Sequence, residues 1–224
     1  MRSLMRFAVQ RITLPLFNVH YIFETDLTRA EALPNHRRPL PPGVTIGIFR
    51  GEDEIGPLAE KLTAAGLESA TLKARMKRGD MVAVALDLEG KIIAYTWQTF
   101  CNVWMREVRA TLVLERGQMA GLDTFVLPQW RGKGLQYLIN AWKFRYLSEH
   151  GYEHGLNWVN ALNNRSIKSQ SSQGKRRIAT IYSSPILNLV WVRKVFPGST
   201  LRIQKRAAPH SRVPVMPVGN RPDH

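Results

Sequence analysis

Residues 126–135 read Val-Leu-Pro-Gln-Trp-Arg-Gly-Lys-Gly-Leu, and this stretch decides the fold. An apolar strand runs into Pro128, a basic turn carries Gly132 and Gly134, and a helical repeat begins at Leu135. A helix amino terminus has unpaired N–H groups and the positive end of the dipole. Glycines lack a Cβ and let those amides come close to a phosphate. Arg131 and Lys133 add positive charge, so the implied ligand carries a pyrophosphate. The plainer reading of the same residues is an ordinary strand-to-helix loop with a solvated Arg and Lys. No GxxxxGK[ST] string occurs, which argues against a nucleotide P-loop.

Downstream, Leu135, Leu138, Ile139, Trp142 and Tyr146 recur at helical spacing as far as His150, and Gly151 suits the position just past a helix end. A short strand over 156–159 should follow. Then comes Asn163-Asn164-Arg165-Ser166-Ile167-Lys168-Ser169-Gln170-Ser171-Ser172-Gln173-Gly174. Asn163 offers a donor and an acceptor to a ligand. It is equally suited to capping a helix, a role Asn164 contests.

Upstream, residues 33–43 hold four prolines and read as a linker or exposed loop. Residues 44–49 alternate as a strand. Pro57 suits the first turn of a helix that Gly66 would end. A second helix runs from about Ser69 to Lys77, stopped by Gly79. Residues 81–88 and 91–100 form a hairpin about Glu89-Gly90. Before the linker, residues 17–23 alternate like a strand; near the end, residues 187–196 are apolar enough to complete a sheet. The expected organisation is an N-terminal extension and linker over 1–43, a domain over 44–203, and a proline-rich tail over 204–224, expected to be mobile.

Gln129, Gly132 and Gly134, behind Val126-x-Pro128, resemble the acyl-CoA-binding motif of the GNAT superfamily of N-acetyltransferases, which reads Gln/Arg-x-x-Gly-x-Gly/Ala. Asn163, Ser166 and Gly174 stand where that family has Asn-x-x-Ala/Ser and a helix-ending glycine. The element order is similar to the family's over residues 44 to about 197, with the specific motifs confined to 126–174. The resemblance implies an α/β fold with a mixed, mostly antiparallel central sheet flanked by helices. It implies an N-acyltransferase that passes an acetyl or other acyl group to an amine, with acetyl-CoA or another acyl-CoA as donor and no metal. The amides of Trp130, Arg131, Gly132, Lys133 and Gly134 would hold the pyrophosphate. Phe125, Val126 and Leu127 would pair with the pantetheine arm, and Asn163 would contact it. The acid nearest before the turn, Asp123, is the candidate general base, with Glu115 a second choice. The competing role for such an acid is a structural ion pair. The chain departs from the family at Gln170, where many members carry a tyrosine that protonates the leaving thiolate. Gln cannot donate a proton in that way. The phenylalanine often found after the glycine is Lys175. Tyr182 could substitute in space, or be simply a half-buried strand tyrosine.

Charge bounds the partners. The net charge is +15. Residues 124–224 hold 16 Lys and Arg against 3 acidic residues, while residues 1–123 hold 16 against 14. A basic half of this kind attracts CoA phosphates and acidic macromolecules such as an acyl carrier protein, nucleic acid or an anionic membrane. No nucleic-acid motif is present. Two alternatives remain beside the acyl-CoA reading: a long-chain N-acyltransferase fed by acyl carrier protein, and a non-catalytic CoA- or nucleic-acid-binding module. The acceptor is a small-molecule or protein amine. A single cysteine, Cys101, excludes an internal disulfide framework and clustered-cysteine zinc sites, and reads as a buried, inert thiol. No apolar run approaches a membrane span, and the cytoplasm is the expected location. The basic stretch over residues 1–11 reads as a membrane-surface segment, a targeting peptide or an ordinary packed helix.

Overall fold

Runs of β-branched, alanine and aromatic residues, cut by turn glycines, build one large sheet in the computed structural model. It describes residues 17–29, 39–184, 186–196 and 201–205. The expectations for residues 1–11, for residues 33–38 of the linker and for the tail beyond 205 fall outside the described residues. The chain opens with β1 (Asn18–Asp26) and β2 (Thr45–Arg50), then α1 (Gly51–Ile55), α2 (Ala59–Ala64) and α3 (Ser69–Arg78). Four strands follow, β3 (Met81–Leu86), β4 (Ile92–Thr99), β5 (Val103–Met105) and β6 (Ala110–Val113). Next come β7 (Gln118–Val126), α4 (Leu135–Glu149), β8 (His154–Asn160) and α5 (Asn164–Ser172). The last strands are β9 (Arg176–Ser184), β10 (Leu189–Lys194) and β11 (Arg202–Gln204).

The main sheet has eight strands in the order β10-β9-β1-β8-β7-β4-β3-β2. Every neighbouring pair is antiparallel except β7 and β8. The mixed, mostly antiparallel sheet flanked by helices is therefore as expected. β4 and β3 lie between β7 and the edge strand β2, and every residue from Met81 to Ala85 and from Ile92 to Thr99 is buried. Burial on both faces explains their nearly unbroken apolar runs.

Helix α4 covers one face, setting Leu135 and Ile139 against Ala83, Ala85 and Ile93, and Phe144 and Leu147 against Met81 and Met119. Ile55, Leu62 and Leu72 from α1–α3 pack with Val82, Val84, Ile92 and Trp97. A three-stranded sheet, β11-β6-β5, packs Met105 and Leu112 with Ile22, Leu156 and Ile181. Trp97 and Phe144 are fully buried. Truncating a side chain of that kind costs about 3–5 kcal/mol.

Three local expectations change. The strand expected over 17–23 is β1, and it lies inside the sheet between β8 and β9. The core therefore does not begin at residue 44. Alternation identifies a strand but not its neighbours, so this placement has no local signal. The first helix starts earlier than Pro57 and is broken there: Gly56–Leu58 is a 3₁₀ turn between α1 and α2. Pro57 lacks the N–H that would continue the α ladder. The small sheet of β5, β6 and β11 was not anticipated, since its strands are three or four residues long. By contrast α3 ends as read, with Gly79 at φ 74° closing it.

Candidate active site

The site is made by two parallel strands that part company. β7 has nine residues and β8 seven, yet they pair only at Gln118–His154, Met119–Gly155 and Ala120–Leu156. From Gly121 onward the β8-facing edge of β7 has no strand partner. The other edge of β7 keeps its ladder with β4, but the register shifts so that Trp97 stands opposite both Leu122 and Asp123. This is a β-bulge at the point of divergence, and a bulge re-aims the side chains beside it. A cleft of about 790 Å³ opens in the gap.

At one end of the cleft lies the turn over residues 128–134. Pro128–Trp130 is a 3₁₀ turn, Gly132 has φ 80°, and Gly134 is the left-handed N-cap of α4 at φ 76°. A residue with a Cβ is strained in that region. No side chain caps α4 and no acid stands in its first turn, so its N-terminal amides and dipole are offered to an anion. A Cβ on Gly132 would meet nothing within 4 Å, so the surface there is open. Arg131 Nε donates to the Val126 carbonyl at 3.1 Å, filling one acceptor on the open edge of β7. Lys133 Nζ lies 4.7 Å from the centre of the Trp130 ring.

Of the expected binding residues, Phe125, Val126, Trp130, Arg131, Gly132 and Gly134 line the cleft. Leu127, Gln129, Lys133 and Asn163 do not form its wall. Leu127 packs with the Leu135–Ile139 cluster. Asn163 takes the capping role: its Oδ1 accepts from the Ser166 N–H at 3.0 Å.

At the other end, Asp123 and Glu107 are the acids of the cleft wall. The Asp123 side chain is 64% exposed and pairs with Arg75 Nη2 at 2.5 Å. Arg75 is itself buried over the Trp97 ring, and its Nη1 has no hydrogen-bond partner among the described residues. Phe125 stacks on Tyr95 with ring centres 5.2 Å apart. Burial, then the Asp123 carboxylate, push the Tyr95 phenol above its ordinary value, against an opposing pull from Arg75. Asp123 and Phe125 thus share one face, as alternation implied. Glu115 sits in the turn before β7, where its N–H donates to Gln118 Oε1 at 3.0 Å, and it does not reach the cleft. Glu107 does. Asn18 Nδ2 from β1 holds its backbone carbonyl at 3.0 Å. Burial lowers the pKa of His20, with the Glu107 charge acting in the opposite sense. Nothing local marks Glu107, because β1 and the β5–β6 turn meet across 89 residues.

The opposite wall comes from β8 and α5. Arg165, Ser166, Ser169, Gln170 and Gln173 all line it, at a helical stripe the sequence displays but that carried no apolar signal. Gln170 faces the cleft with its Oε1 buried and unpartnered. Tyr182 is not a substitute for it. The Tyr182 ring stacks on Trp191 at 5.2 Å, outside the cleft. Cys101 is buried. Among the described residues, no group of His, Cys, Asp and Glu could hold a metal, and no helix is long and apolar enough to cross a membrane.

No protein-family model matches the chain, and no curated protein matches its sequence. Solved structures match its shape. A tandem GNAT protein from the clavulanic acid biosynthesis pathway is 15% identical, with a TM-score of 0.54, over 87% of this chain and 59% of that one. A GCN5-related N-acetyltransferase from Sphaerobacter thermophilus is 13% identical, with a TM-score of 0.53, over 89% of this chain and 58% of that one. A conserved protein of unknown function from Staphylococcus epidermidis is 10% identical, with a TM-score of 0.51, over 80% of this chain and 65% of that one. The chain therefore spans less than two thirds of the length of each. At such identities the likeness is one of architecture, and the architecture is that of the GNAT N-acetyltransferases.

Proposed function

We propose that this chain is an N-acyltransferase that takes an acyl-CoA as donor and acylates an amine. One observation carries the reading: β7 and β8 separate beside an uncapped, glycine-bearing helix terminus, so an open strand edge leads directly from an anion-binding turn. An extended, amide-bearing arm can pair with such an edge, while its pyrophosphate meets the amides of residues 130–134. A CoA thioester supplies an activated acyl group; the rest is done by this chain's residues.

Positioning accounts for much of the rate in such a transfer. The amine must lose a proton, and Asp123 is our candidate to accept it, directly or through water. Arg75 keeps that carboxylate in place. Glu107 replaces Glu115 as the second candidate, since it lies on the cleft wall. The bulge at Leu122–Asp123 offers backbone N–H groups where negative charge would develop on the acyl oxygen. Gln170 takes no proton-donor role in this scheme.

The test is release of free CoA thiol from acetyl-CoA with a panel of amines, from small diamines to amino sugars and peptides. We expect amine-dependent release well above hydrolysis. A protein that binds CoA yet releases no thiol with any amine would be a binding module instead.

A further inference from the structure

Two lysines are sealed inside the protein without an acid beside them. Lys143 of α4 is 2% exposed, and Lys175, just before β9, is 7% exposed. Their Nζ atoms lie 4.4 and 5.2 Å from the centre of the Phe144 ring. No carboxylate pairs with either among the described residues. Burying an unpaired ammonium is costly, and proteins keep such groups where they serve a site. Burial pushes Lys175 down to about 7 and holds Lys143 well below its ordinary value, with Lys175 adding to the effect on Lys143. Lys143 is the titratable group beside Lys175. Asn157 from β8 and Phe144 from α4 are neutral, and the neighbouring Arg176 turns to Glu24, which also faces His154.

What the lysines touch leads into the cleft. Lys175 Nζ donates to Asn157 Oδ1 at 3.3 Å. Lys143 Nζ donates to Asn140 Oδ1 at 2.7 Å, Asn140 Nδ2 donates to Gln173 Oε1 at 2.8 Å, and Gln173 Nε2 donates to Ser169 Oγ at 3.1 Å. Asn157, Gln173 and Ser169 line the cleft; Lys143 and Lys175 stand behind it. Each chain has a fixed direction. As an ammonium Lys175 has donors only, so it takes the oxygen of Asn157 and leaves the NH₂ group to donate onward; in the second chain the Lys143 nitrogen donates to the Asn140 oxygen and the order follows from there. Asn157 Nδ2 consequently lies against Gly121, where β7 and β8 part, and a Cβ on Gly121 would collide with it. The Ser169 hydroxyl accepts from Gln173 and keeps its own proton for the cleft. Hydrogen bonds aligned in one sense strengthen one another.

We propose that Lys175 and Lys143 are positioning residues that make this wall a surface of hydrogen-bond donors, with Lys175 fixing Asn157 to donate to a carbonyl oxygen of the acyl donor's arm; this rests on the acyl-donor reading above. Loss of the Lys175 proton gives its nitrogen a lone pair, which accepts from Asn157 and lets the carboxamide turn its oxygen to the cleft. Donor binding is therefore tightest with Lys175 protonated, and binding draws in a proton.

The experiment is isothermal titration of CoA into the full chain from about pH 6 to about pH 9, in buffers of two ionisation enthalpies. Adenosine 3′,5′-bisphosphate, which lacks the arm, controls for titration of the phosphates. We expect the CoA Kd to rise about tenfold more than that of the bisphosphate across this range, the worth of about one hydrogen bond. We also expect net proton uptake on CoA binding near neutral pH. Lys175→Met should bind CoA at the weaker level, without the extra pH dependence or the uptake. Equal pH profiles for CoA and the bisphosphate, with no extra uptake, would overturn the proposal. Should Lys175→Met not fold, the wild-type profiles alone decide. No CoA binding at any pH would overturn the acyl-donor reading itself, a distinguishable outcome.

Discussion

The wall of the cleft formed by β7 and the turn into α4 is continuous chain: Asp123 to Gly134 are neighbours in sequence, and their chemistry is backbone amides and exposed charge. The facing wall is assembled from distant parts. Asn140 meets Gln173 across 33 positions and Lys175 meets Asn157 across 18, and the two lysines behind it are buried. The first wall needs only local geometry, glycines at positive φ and a free helix end, and so it is written in twelve consecutive residues. The second needs the sheet, α4 and α5 to be in place before its hydrogen bonds exist. A ligand held between them is gripped by one surface that short motifs encode and another that only folding creates.

The comparison can be broken first at the local wall. Gly132→Glu sets a carboxylate and a strained positive φ at the anion site. We expect CoA affinity to fall by about a hundredfold or more, with the circular dichroism spectrum unchanged. Unchanged affinity would remove the turn as the phosphate site. Asp123→Asn should lower kcat by about a hundredfold while the Kd for CoA holds within about threefold. A fully active variant would leave Asp123 as the ion-pair partner of Arg75 and no more.

The buried wall predicts an effect on stability. Lys175 sits at about 7 in the folded chain against an ordinary 10.5. Between those values the unfolded chain holds a proton that the folded chain lacks, so stability rises with pH across the window. Below it, both states are protonated and the slope vanishes, with the whole cost of the buried charge in force. Lys175→Met should lose the Lys175 share of the rise, leaving that of Lys143, and melt higher than the wild type at pH 7, which thermal unfolding at several pH values checks. The smallest effect separates the two roles of Asn163. Asn163→Ala should cost about 1 kcal/mol in urea unfolding through loss of the cap, with CoA affinity unaltered. A large loss of affinity would show that Asn163 reaches the donor after all.

This division also explains what the sequence could reveal. The glycine turn before α4, the β3–β4 hairpin about Gly90 and the stop of α3 at Gly79 rest on glycine conformation and short spacing, and their geometry stands where the sequence put it. The placement of β1 between β8 and β9 rests on pairing across 128 to 165 residues and leaves no local trace. Glu107 went unseen for the same reason. It enters the cleft because Asn18 of β1 ties down its turn. Glu115 looked equivalent in sequence, and only the tertiary structure separates them. The Lys143–Ser169 chain of hydrogen bonds leaves no local trace either: Lys143 stands in the helical run of α4 and Lys175 just before β9, and a lysine in either place reads as solvated until the fold buries it.

The central claim is that the cleft holds an acyl-CoA. The most direct measurement is the thermal unfolding of the full chain with and without CoA, at a ligand concentration well above the expected Kd. Binding to the folded state alone adds about 2.7 kcal/mol of stability at roughly a hundred times Kd. The account predicts a clear rise in melting temperature for the wild type and none for Gly132→Glu. A wild-type protein whose melting temperature ignores CoA, acetyl-CoA and longer acyl-CoAs alike would contradict it.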